Sequence, residues 1–73
     1  MAKLKVLSGK QVCDILTMHD FKEVRRRGSH IVMQLKLSNT TITVPVPDHK
    51  ELRTGTLNSI IRQSRLPKSI FEE

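Results

Sequence analysis

The stretch Gly28-Ser29-His30-Ile31-Val32-Met33-Gln34-Leu35-Lys36-Leu37 decides the fold. Ile31, Met33, Leu35 and Leu37 fall on one parity, and His30, Val32, Gln34 and Lys36 on the other. Period two is the mark of a half-buried strand, because successive side chains of a strand point to opposite faces. The alternation puts His30 on the more polar face. Gly28-Ser29 is a turn signal, and the charged run Lys22 to Arg27 before it reads as an edge or outer strand. Ser38-Asn39-Thr40 makes a tight connection to a third strand, Thr41 to Val46. There Ile42, Val44 and Val46 face one way, and Thr41 and Thr43 the other. Pro45 and Pro47 are expected to end its ladder, since proline has no N–H to donate.

Helices flank the strands. Ser8-Gly9-Lys10-Gln11 fits a capping box with Ser8 as N-cap. Val12, Ile15 and Leu16 follow at helical spacing, which predicts a helix from about Gly9 to His19. Cys13, beside that stripe, reads as a small buried hydrophobe, and His19 as an end residue compatible with the helix dipole. Residues 47–54 read as a loop. Thr54 or Thr56 can cap a second helix with the stripe Leu57, Ile60 and Ile61, which Pro67 stops. Ile70 and Phe71 are expected to fold back as a last helical turn. The order is α-β-β-β-α, an α+β fold. Packing both helices on one face of a three-stranded antiparallel sheet is the simplest way to bury two stripes and one sheet face. The opposite face then stays open, with His30 on it.

Composition narrows the function. At 73 residues the chain makes one small unit that buries only about 60% of its unfolded surface. That leaves no room for a large internal cavity, so any site lies in a shallow groove. Hydrophobic residues are 37% of the chain, with two Phe and no Trp or Tyr, so the core is aliphatic. Thirteen Lys and Arg against seven Asp and Glu give a net charge of +6. That density favours a polyanionic partner: RNA, DNA or an acidic protein. A single Cys excludes an internal disulfide and a Cys cluster for zinc. The run from Met1-Ala2-Lys3 leads into no long apolar stretch, so neither a signal peptide nor a membrane span is read and a cytoplasmic location is expected.

His30 follows Arg25-Arg26-Arg27 closely. Imidazole exchanges protons near neutrality, and guanidinium groups bind phosphate and stabilise a pentavalent transition state. Strand alternation puts Arg25 and Arg27 on one face and Arg26 on the other. The plainer reading of the three is a solvated edge that deters strand pairing. His49 reads either as a second acid/base or as a loop histidine bonding the backbone. Lys36, Lys50, Arg53, Arg62 and Arg65 read as general electrostatic contributors. No Asp/Glu pair or metal-ligand cluster stands out, so no metal or other cofactor is expected.

Three motifs, in order, carry a resemblance: Gly28-Ser29-His30, Thr43-Val44-Pro45-Val46-Pro47-x-His49, and Gly55-Thr56-Leu57-x-x-Ile60-Ile61-Arg62-Gln63. From Lys10 to Phe71 the chain resembles the HicA toxins, mRNA-cleaving ribonucleases of toxin–antitoxin pairs. The resemblance implies a double-stranded-RNA-binding-like fold, a catalytic role for His30, and a HicB antitoxin that covers the active face. RNA contacts are then expected from Arg25, Arg26, Arg27, Ser29, Lys36, Lys50 and Arg53. Many members carry a second His where this chain has Ile31, a position that alternation turns toward the core. The competing function is a non-catalytic RNA-binding module of the same fold. A DNA-binding regulator fits less well, because neither helix pair reads as a helix-turn-helix.

Overall fold

The structure, a computed structural model, describes residues 3–73. Met1 and Ala2, which open the stretch read for a leader segment, lie outside the described residues. The elements are α1 (Gly9–Met18), β1 (Lys22–Arg27), β2 (His30–Lys36), β3 (Thr41–Pro47) and α2 (Thr54–Ser64), followed by a 3₁₀ turn over Lys68–Phe71. The strands form one antiparallel sheet in the order β1-β2-β3. This is the expected α-β-β-β-α arrangement of the double-stranded-RNA-binding-like class.

The capping box is present at α1. Ser8 Oγ accepts from the Gln11 N–H at 3.1 Å, and Gln11 Oε1 accepts from the Ser8 N–H at 2.9 Å. Val12 and Leu16 are fully buried behind it. Gly9 is required where it stands: a Cβ there would overlap the Pro47 carbonyl, and its N–H donates to the His49 carbonyl at 2.9 Å. The start of α1 is thereby pinned to the end of β3.

Arg27 pairs with His30, so Gly28-Ser29 is a two-residue hairpin loop. Gly28 takes φ 58° while Ser29 stays at negative φ, as in the type II′ turn that favours Gly first. Ile31, Met33, Ile42, Val44 and Val46 face the helices and are buried with Leu57, Ile60 and Ile61. Ile31 turns to the core, as alternation expects, and is 2% exposed.

Four local expectations need correction. Pro45 and Pro47 do not end the ladder, since they pair with Val32 and His30. The Asp48 N–H donates to the Ser29 carbonyl at 2.7 Å, which makes these two pairs the non-hydrogen-bonded ones of the antiparallel pattern. β3 is an edge strand, so the missing N–H groups face away from β2. Leu37 does not join the core: β2 stops at Lys36, and Leu37 is 45% exposed. Neither Thr54 nor Thr56 caps α2; Arg53 holds the N-cap position and gives no side-chain bond. Nor does Pro67 stop α2. Arg65, in the left-handed region at φ 61°, ends it, and the buried Ser64 hydroxyl bonds the Ile61 carbonyl and the Leu66 N–H.

The flanking segments close the core. Ile70 and Phe71 form a last turn, as expected; Phe71 is fully buried there, and so is Phe21 ahead of β1. Lys5 donates to the Phe71 carbonyl, Glu73 to Lys3, and Leu52 to Leu7, each at 2.8 Å. Leu7 is buried and Leu4 packs on the same cluster.

Candidate nucleic-acid interface

The open face of the sheet is set by register. On β2 it carries His30, Val32, Gln34 and Lys36, and their partners on β1 are Arg27 for His30, Arg25 for Val32 and Lys22 for Gln34. Directly paired side chains share a face. Strict alternation would set Lys22 and Arg25 on opposite faces. The register shift between Glu23 and Arg25 inserts Val24 as a bulge and brings both to the open side. Lys36 extends this row, about six residues or roughly 20 Å along β2 from His30.

His30 is exposed and stands between two depressions. One, of about 550 Å³, is lined by Arg25, Arg27, His30, Val32, Thr43 and Pro45. Val32 is its floor; it is 6% exposed although it lies outside the helix-covered core. Arg25 and Arg27 thus line an apolar-floored depression together with His30, an arrangement that can hold a phosphate beside a proton acceptor. The second depression, of about 540 Å³, lies between β3 and α2. His30, Pro45, Pro47 and Arg53 line it, with Gly55, Thr56, Ser59 and Gln63 on the α2 side. The first turn of α2 has no side-chain cap, so its backbone N–H groups add positive potential there.

Of the residues expected from sequence, His30, Arg25, Arg27 and Arg53 come together around the two depressions. Lys36 shares the face at its far end. Arg26 lies on the other side of β1, opposite Ile31, and its Nη1 bonds Asp48 Oδ2 at 2.8 Å. That bond raises the Arg26 pKa and holds the Asp48 carboxyl below its ordinary value. Ser29 sits in the hairpin turn with its carbonyl bonded to Asp48. His49 and Lys50 line a separate depression with Ser8, Lys10 and Asp48. The His49 backbone carbonyl accepts from the Gly9 N–H.

The sequence reading missed Lys22, Thr43, Ser59 and Gln63. Ser59 and Gln63 stand four apart on α2, a spacing the sequence shows, but the groove they line depends on how α2 packs beside β3. Lys22 was hidden by the bulge, and Thr43 needs the cross-strand register. Cys13 is buried, and burial pushes its thiol up to about 11, with the Glu23 and Asp14 carboxylates adding to the shift. Among the described residues no three His, Cys, Asp or Glu side chains group as a metal site, and no helix is long and apolar enough to cross a membrane.

Residues 9–66 match the family model described as HicA toxin of bacterial toxin–antitoxin. This chain belongs to the HicA toxin family. It is the toxin of a toxin–antitoxin system, whose counterpart is an antitoxin. Comparison with curated proteins and with solved structures returns no match. The matched segment of the toxin spans all five main elements, including both depressions around His30.

Proposed function

We propose that the toxin is a metal-independent endoribonuclease acting on mRNA in the cytoplasm, with His30 as its catalytic residue and a HicB-like antitoxin as its inhibitor. The observation that carries this reading is an exposed imidazole on the same sheet face as Arg25 and Arg27, which make no ion pair among the described residues. His30 takes the proton of a ribose 2′-hydroxyl, and that oxygen attacks the adjacent phosphorus. The bond from phosphorus to the 5′-oxygen breaks; that oxygen takes a proton from water and leaves as a 5′-hydroxyl, while the other fragment keeps a 2′,3′-cyclic phosphate. Arg25 and Arg27 stabilise the charge that builds on the phosphoryl oxygens. The attacking group belongs to the substrate, so the step needs no activated water and is confined to RNA. His49 lines another depression, and no part in this step is assigned to it.

The same face is what an antitoxin has to cover. An acidic partner gains association rate there from charge complementarity, and it competes with RNA for Arg25, Arg27 and His30.

The test uses a DNA oligonucleotide carrying one ribonucleotide, with excess EDTA present. Cutting only at the ribose, with a cyclic phosphate end, is the expected result. Cutting of the all-DNA control, or complete loss in EDTA, contradicts the mechanism. RNA binding without any cutting of ribose substrates returns the reading to a non-catalytic module.

A further inference from the structure

The motif Gly55 to Gln63 has no part in the chemistry above, yet it forms one wall of the second depression at His30. Thr56, Ser59 and Gln63 follow the i, i+3, i+7 spacing of one helix face, beside the buried stripe of Leu57, Ile60 and Ile61. The two depressions that meet at His30 differ in chemistry. Arg25 and Arg27 make the first cationic. In the second, Arg53 stands at the N-terminal end of α2, while the hydroxyl and amide groups farther along the helix make the rest of that wall neutral and polar, with Pro45 and Pro47 also lining the groove.

Gln63 is exposed at the rim of the groove. Its Nε2 donates to Ser59 Oγ at 3.0 Å, a contact that favours one orientation of the amide. Among the described residues Oε1 and the second N–H have no other partner, so the amide still offers both an acceptor and a donor. Phosphate is poorly served by such a pair, because it offers acceptors only. A nucleobase edge is well served, and the amino group and ring nitrogen of adenine are the usual bidentate match for a glutamine. The proline rings supply an apolar surface for the face of the base.

Resting on the ribonuclease reading, we propose that this groove is a base-reading subsite for the nucleotide flanking the cleaved phosphate, with Gln63 as the specificity-determining residue and adenine as the preferred base. Ser59 is a positioning residue that holds the amide.

The experiment selects bound sequences from a random pool of 2′-O-methyl RNA, which has no attacking hydroxyl, using the full chain. Wild type should enrich adenine at one position. Gln63→Ala should lower that enrichment roughly tenfold, the order one bidentate base contact supplies. Gln63→Glu, which only accepts, should shift the preference toward cytosine. Base preference is a ratio, so a general loss of affinity or of folded protein leaves it unmoved. Absence of adenine enrichment in wild type, or enrichment that survives Gln63→Ala, overturns the subsite. Failure of the ribonuclease reading shows separately, as ordinary RNA left uncut by wild type.

Discussion

The two faces of the sheet are built by the same strands, residue by residue in alternation, and they do opposite things. Toward the helices stand Ile31, Met33, Val44 and Val46, each at most 2% exposed. Toward solvent stand Lys22, Arg25, Arg27, His30 and Lys36. Fold stability resides in the first set and ligand chemistry in the second. A one-residue slip would exchange them. The hairpin turn at Gly28 and the bulge at Val24 therefore decide which cations accompany His30.

If the faces are separable, core changes cost stability and open-face changes cost binding or catalysis. The largest stability effect is expected at Phe71, fully buried in the last turn. Phe71→Ala should cost about 3–5 kcal/mol, much of what a small domain has. A denaturant titration measures it, and a near-neutral result would remove the C-terminal turn from the core.

Gly9 is where the separation should break. A Cβ there meets the Pro47 carbonyl, and Pro47 pairs with His30. Gly9→Ala should cost roughly 1–3 kcal/mol through overpacking and also lower activity per folded molecule. Thermal melting and an active-fraction assay read the two effects. Full activity with lowered stability would mean that the α1–β3 contact does not position the site.

The three arginines of β1 pose the same question within one strand. Removing Arg25 and Arg27 together should flatten the dependence of log affinity on log salt, by up to roughly 0.7 for each single-strand phosphate that is no longer neutralised. Arg26→Ala, which removes a cation paired with Asp48 on the other face, should change that slope much less. Equal effects from Arg26 would place the phosphate path across the hairpin edge.

The smallest effect concerns Cys13. Burial raises its thiol from 9.0 to about 11, so its protonated form favours the folded state. That contribution is full below about pH 9 and is lost as pH rises through 11. The melting difference between wild type and Cys13→Ala should therefore narrow over that range. A constant difference would mean that the thiol is not held protonated by the core.

Much of this was legible in sequence because alternation and helical spacing are local. The strand beginning at His30, the capping box at Ser8 and the buried side of Ile31 follow from period alone. What failed depended on position in the sheet. Pro45 reads as a ladder breaker until β3 is known to be an edge strand, and Leu37 reads as core until the strand end is known. At the site, parity separated Arg26 from Arg25 and Arg27. The roles of Lys22, Ser59 and Gln63 depended on a bulge and on a helix–strand groove, which no local pattern encodes.

The central claim is that His30 supplies chemistry and no structure. The direct test is the cleavage rate of a defined RNA by purified His30→Ala, with its melting midpoint measured on the same preparation. The rate should fall at least roughly a hundredfold, the lower range for a lost general base, with stability within about 0.5 kcal/mol of wild type. Folded His30→Ala cutting at the wild-type rate would contradict it.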